Sequence, residues 1–396
     1  MRILKFFSYT FISAIIYALT QWGIVSAISH IKGVEWVGVY AFALSLVLPI
    51  NMFFNFGVRQ LISTEKNDVD INSYCLSILV SQALGLLVCI AFSYLFYQEY
   101  LYYVVCLYVV KICESLAETV YGYRQWHDNY RAIATSKICR SILLFASISV
   151  SLLAGLSLLQ SVQIQVIAAV ISIFLLDVRK VSVKSGQILK QQFYLLGLPL
   201  AVAATLLSVK TMFPRFFMEY YASNFELGVF ASMMYFVSAG GLVITAFSQV
   251  LVPIVARTSR EKKIKVIYGG FLGSLLLGSG LSLFIYLFGE WVFKVIYGDG
   301  FVVNHSQLLY LLLIITTTFV SSYLGYIASA LRVLKQQPLI YIFIILVMFI
   351  AFYLLKSFIS VVDSIYLVVI VGNIVQFFLL LYLVKIGLTD ESSSHS

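Results

Sequence analysis

The sequence predicts an all-α protein that crosses a membrane about twelve times. Three features carry that expectation. Of 396 residues, 61% are hydrophobic. Only 11% are charged, against roughly 25% in ordinary soluble domains. The apolar residues are gathered into blocks of about eighteen or more, each long enough at ~1.5 Å per residue to cross a ~30 Å hydrocarbon core as a helix. Together these exclude a soluble fold.

The blocks follow one another with little between them: 8–29, 36–56, 73–97, 100–122, 138–158, 160–177, 193–215, 227–254, 266–289, 305–330, 338–355 and 364–385. The first follows Met1, Arg2 and Lys5, as the apolar part of a signal peptide would. Its apolar run is long and further spans come at once, so it reads as an uncleaved first helix. The fourth carries Lys111, Glu114 and Glu118. Pro199 and Pro214 bracket the seventh and each removes a backbone hydrogen bond, which permits kinks there. Cys75, Cys89, Cys106, Cys113 and Cys139 fall inside or at the ends of spans without a CxxC pair or a His partner, and read as small packing residues. None of His30, His127, His305 or His395 has metal-ligand spacing, and no nucleotide-binding loop or other cofactor motif is present. The tail from Thr389 reads as disordered.

Charge sets the orientation. With the N-terminus in the cytoplasm, 20 of the 26 Lys and Arg fall in cytoplasmic segments, 3 within spans and 3, Lys32, Lys294 and Lys356, in periplasmic ones. That is the positive-inside pattern, and it places both termini in the cytoplasm; the expected location is a bacterial inner membrane. The net charge of +9 then reports orientation and anionic head groups, so no nucleic-acid site needs to be invoked. A basic link, 178–192, with Arg179, Lys180, Lys184 and Lys190, falls near the middle of the chain. It divides the sequence into a six-helix lobe 1–177 and a second lobe 193–388, with the tail 389–396 beyond.

An internal echo supports that division. Val37-Gly38-Val39-Tyr40-Ala41 opens the second span and Leu227-Gly228-Val229-Phe230-Ala231 opens the eighth, and each run ends in a basic turn, at Arg59 and at Arg257. Gly122-Tyr123 and Gly325-Tyr326 form a weaker pair. Six-helix repeats of the same orientation are related by a pseudo-two-fold axis along the membrane normal, an arrangement in which transporters build a substrate site between the halves.

The stretch Pro214-Arg215-Phe216-Phe217-Met218-Glu219-Tyr220-Tyr221, with Glu226-Leu227-Gly228-Val229-Phe230-Ala231 and Ala246-Phe247-Ser248-Gln249, resembles the start of the second half of Wzx-type polysaccharide flippases. These belong to the multidrug/oligosaccharidyl-lipid/polysaccharide (MOP) exporter superfamily. Ile296-Tyr297-Gly298-Asp299-Gly300-Phe301 is similar to a short glycine turn of that family, which more often has an acidic residue and Tyr after the Gly. The resemblance spans essentially the whole chain and implies a MATE-like fold. It also implies alternating-access transport of an undecaprenyl-diphosphate-linked oligosaccharide, such as an O-antigen precursor, from the cytoplasmic to the periplasmic leaflet. No cofactor is implied. H⁺ or Na⁺ would couple the cycle, and membrane lipids and other polysaccharide-assembly membrane proteins are the implied partners.

A diphosphate crossing hydrocarbon needs cations, so intramembrane charges are the candidate site. Lys111, Glu114 and Glu118 share one face of the fourth span. Lys111 would meet the diphosphate near mid-bilayer and Glu114 or Glu118 would carry the coupling ion; the alternative is an intrahelical Lys-Glu pair packed between helices. Lys210 and Arg215 on the seventh span would line a cavity or snorkel to the interface. Arg59, Arg124 and Arg332 would receive the diphosphate at the cytoplasmic face or serve as basic anchors. Two other functions stay open. A multidrug antiporter of the same superfamily would want a compact, aromatic and acidic pocket, against which Lys111 and Lys210 argue. A membrane glycosyl transferase or O-antigen polymerase would want a large external loop with paired carboxylates, and the longest external stretch, Glu290 to Ser306, offers Asp299 and His305 without such a pair.

Reporter fusions after Ser185 and after Ser396 are expected to score as cytoplasmic; a periplasmic signal from either would overturn the orientation.

Overall fold

The computed structural model describes the backbone of residues 2–65, 69–177, 191–258, 260–331, 333 and 336–393. Among these, all regular structure is helical. Twelve segments are long and apolar enough to cross a membrane. They coincide with the twelve apolar blocks, and the chain is an all-α, multi-pass membrane protein. Residues 178–190, the core of the basic link, lie outside the described residues, as do Arg332 and 394–396.

The first seven helices are α1 (Arg2–Lys32), α2 (Val34–Asn55), the short α3 (Val58–Ser63), α4 (Ile71–Phe96), α5 (Leu101–Trp126), α6 (Tyr130–Leu153) and α7 (Leu158–Leu176). They are followed by α8 (Gln191–Tyr221), α9 (Asn224–Arg257), α10 (Arg260–Tyr297), α11 (His305–Ala330), α12 (Gln337–Leu355) and α13 (Val361–Ser393). Local chemistry sets many of the ends. Asp70 accepts from the Asn72 amide and Asn129 from the Ala132 amide, as N-caps do. Ser157 with Gln160, Ser223 with Glu226 and Asn304 with Gln307 form capping boxes at the starts of α7, α9 and α11.

Some elements differ from the sequence reading. The second span breaks near its end: Phe56 and Gly57 take left-handed conformations (φ 50° and 60°), so α2 stops and α3 restarts. In α8 the helix runs unbroken past both Pro199 and Pro214. The expected external stretch 290–306 is mostly helix, because α10 continues to Tyr297 and turns at Gly298 (φ 93°). Helical backbone also continues through the expected tail as far as Ser393, since no proline interrupts α13. The cysteines are free, with Cys89 and Cys113 buried but Cys139 exposed on α6.

The structure forms two compact units, Met1–Met212 and Phe213–Ser396. In the first, α1 packs along α6, α2 lies against α4 and α5, and α7 against α5 and α6. The unit extends into α8 because Phe193 and Ala201 pack on the break in α2, with the Phe56 and Phe193 ring centres 5.4 Å apart. In the second unit α11 is central and touches α9, α10 and α13, while α12 rests on α13. Several residues that carry the family resemblance are packed in this second core: Phe217 stacks on Phe352 at 3.8 Å, and the Tyr297 hydroxyl donates to the Ser232 carbonyl at 3.0 Å.

The packing of α8 on the break gives a sharp stability contrast. A Cβ on Gly197 would lie 2.6 Å from the Phe56 carbonyl oxygen, whereas one on Gly269 in α10 meets nothing within 4 Å. Gly197→Ala should therefore cost about 1–3 kcal/mol and lower the apparent unfolding temperature in detergent. Gly269→Ala should be neutral or raise it. Equal behaviour of the two would refute the close approach of α8 to Phe56.

Candidate functional site

The break in α2 borders a cavity of about 280 Å³ inside the first unit. The last turns of α2 supply Asn51, Met52 and Asn55. From α5 come Glu114, Ser115, Glu118 and Tyr121, one helical face by their spacing. Lys137, Arg140, Ser141 and Leu144 come from α6 at the same helical spacing, and Tyr17 from α1 closes the wall.

One wall is a network of neutral polar groups. Asn51 Nδ2 donates to Gln82 Oε1 of α4 at 2.9 Å, Gln82 Nε2 donates to Ser115 Oγ at 3.2 Å, and Asn55 Nδ2 donates to the same oxygen at 3.0 Å. Ser81 Oγ, also on α4, donates to the Phe54 carbonyl at 2.6 Å. That carbonyl lies in the last turn of α2, where intrahelical partners run out.

Charges occupy the rest. Lys111 Nζ donates to Glu114 Oε2 at 2.6 Å. Arg59 Nη1 donates to Glu118 Oε2, and Arg59 Nε to Gln125 Oε1, each at 3.0 Å. Asp177, fully buried at the C-terminal end of α7, accepts from Arg124 Nη1 at 2.7 Å, from Ser136 Oγ at 2.8 Å and from Arg140. Arg140 also stacks over the Tyr121 ring at 5.7 Å, and the Tyr121 hydroxyl meets Ser136 Oγ at 3.1 Å. Lys137 makes no ion pair within 4.0 Å among the described residues, although Glu114 and Glu118 act on it electrostatically across the cavity; its Nζ lies 4.9 Å over the Tyr17 ring. Arg59, Lys111, Arg124, Lys137 and Arg140 thus face Glu114, Glu118 and Asp177, leaving the cluster with more cations than carboxylates.

The sequence candidates separate within this geometry. Glu114 and Glu118 line the cavity, Arg59 reaches its rim through Glu118, and Lys111 does not line it but holds Glu114. Lys210 is buried and is not among the lining residues. Arg215, expected to snorkel or line a cavity, is buried in the second unit over the Tyr235 ring at 5.3 Å. Arg124 is an ion-pair partner of Asp177, beyond a basic anchor. Lys137, Arg140 and Asp177 were not singled out by sequence. Their signal was available: a Lys and an Arg at i, i+3 opening a span, and an acid just past the end of the next one.

No protein-family model matches the chain. The capsular polysaccharide biosynthesis protein CapF of Staphylococcus aureus is 27% identical over 328 residues, which is 78% of this chain and 80% of the relative. The structure of the MATE multidrug transporter DinF-BH aligns with a TM-score of 0.67 at 16% identity, over 96% of this chain and 95% of that one. An outward-facing multidrug resistance MATE family transporter of the MOP superfamily aligns with a TM-score of 0.60 at 15% identity, over 98% and 96%. The chain has the MATE transporter fold. At these identities the MATE likeness is one of architecture, and function has to be argued from the charges inside the fold.

Proposed function

We propose that this MATE-fold protein is a flippase that carries an undecaprenyl-diphosphate-linked oligosaccharide across a bacterial cytoplasmic membrane by alternating access, with both termini in the cytoplasm. The observation that carries the reading is the charge around the cavity of the first unit: Lys137 and Arg140 line it, the lining carboxylates Glu114 and Glu118 are already held by Lys111 and Arg59 from behind, and Lys137 makes no ion pair within 4.0 Å among the described residues. An anion entering low dielectric loses its hydration, and a nearby cation offsets that loss. A diphosphate matches Lys137 and Arg140 in sign, while the carboxylates a cationic drug would need are already paired with Arg59 and Lys111. The relative's name, which places that protein in capsular polysaccharide biosynthesis, points the same way.

Lys137 and Arg140 are the primary contacts in this proposal. Protonation of Glu118 would free Arg59 for a second phosphate, and Glu114 with Lys111 offers an equivalent pair, so either carboxylate can couple H⁺ or Na⁺ to the cycle. Lys210 and Arg215, both buried on α8, are further candidates for contact with the diphosphate.

In cells that depend on this protein for polysaccharide export, Lys137→Ala and Lys137→Glu should lower surface polysaccharide about tenfold or more at equal membrane abundance, the loss of one charge-assisted contact. Lys137→Arg should retain most of it. Normal export by Lys137→Glu would remove the basis of the proposal.

A further inference from the structure

Asp177 is poorly placed for an acid. It caps the C-terminal end of α7, where the last carbonyls already carry partial negative charge, and it is fully buried. Its carboxylate is held there by groups of neighbouring helices. Arg124 of α5 and Arg140 of α6 both reach it, Ser136 Oγ lies 2.8 and 2.9 Å from its two oxygens, and Arg124 Nη2 also donates to the Leu176 carbonyl at 2.8 Å. The last turn of α7 is therefore tied to α5 and α6 through two guanidinium groups.

One of those guanidinium groups has a second exposure. Arg140 lines the charged cavity and also binds Asp177 behind it. Asp177 itself does not line that cavity; with Arg124 and His127 it lines a separate space of about 320 Å³. Arg140 thus stands between an internal carboxylate and the place where the proposed function puts a phosphate.

We propose that Asp177 is a built-in counter-anion for Arg140, which substrate phosphate displaces, and that the displacement loosens the last turn of α7. This positioning role rests on the anion-binding reading of the cavity. Two anions compete for one guanidinium, so a bound phosphate weakens the hold on Asp177. Asp177 in turn lowers the affinity for phosphate by the same factor, as linkage requires.

The test uses the full-length chain in nanodiscs with inorganic pyrophosphate as probe. Pyrophosphate should bind the unsubstituted protein and raise amide exchange across Ser172 to Asp177. Asp177→Asn should bind pyrophosphate about tenfold more tightly, with exchange in that turn already raised and not increased further by the ligand. Because Asp177→Asn leaves two guanidinium groups without their carboxylate and can fail to fold, Ser136→Ala provides a milder case. It removes a hydroxyl that supports the carboxylate and should tighten binding about threefold. Pyrophosphate binding that requires Lys137 but is unchanged in Asp177→Asn and Ser136→Ala, with no change in exchange, would make Asp177 a fixed clamp and overturn this proposal alone. No pyrophosphate binding by any of the proteins would overturn it together with the anion reading of the cavity.

Discussion

Hydrocarbon offers no hydrogen-bond partner, and the rest of this structure depends on that. Twelve helices close their own backbone bonds, so the outer surface can be dominated by Leu, Ile, Val and Phe with Tyr and Trp among them. A polar side chain inside the membrane must then find its partner within the protein, on its own helix as Lys111 does with Glu114 or on another as Asn51 does with Gln82. In the first unit those partners converge: Asn51, Asn55, Gln82 and Ser115 satisfy one another, and the ionised residues of α3, α5, α6 and the end of α7 pair around them. The break at Phe56 and Gly57 belongs to the same scheme, since Ser81 takes up the carbonyl of Phe54 beside it.

This seam is an expensive way to hold helices together. Interhelical hydrogen bonds in membranes contribute on average about 0.6 kcal/mol each, and buried ion pairs seldom repay the loss of hydration of both partners. Apolar residues of similar volume would serve packing as well. Under the proposed function the cluster is a site whose charges are kept ready for an anion, with Asp177, Glu114 and Glu118 pairing cations while none is bound.

Architecture was legible in the sequence because it follows from length and hydropathy alone, and each of the twelve blocks became a spanning helix. The break after Asn55 was not legible, since it depends on left-handed backbone at a non-glycine residue, Phe56, and on packing by Phe193 from far along the chain. The site was half legible. Lys111, Glu114 and Glu118 stood out because hydropathy marks mid-span charges, and the structure places the two carboxylates on the cavity and the lysine behind one of them. Lys137, Arg140 and Asp177 sit near span ends, where basic and acidic residues ordinarily belong to the interface. Only the tertiary fold turns Asp177 inward to meet Arg124 and Arg140.

The most direct test is translocation of a fluorescent polyprenyl-diphosphate oligosaccharide in proteoliposomes, read by quenching of the label left in the outer leaflet. Liposomes with the unsubstituted protein should expose the label far faster than protein-free liposomes, and liposomes with Lys137→Glu should match the protein-free rate. Movement no faster than in protein-free liposomes, or equal movement with Lys137→Glu, would contradict a flippase built on the charged cavity of the first unit.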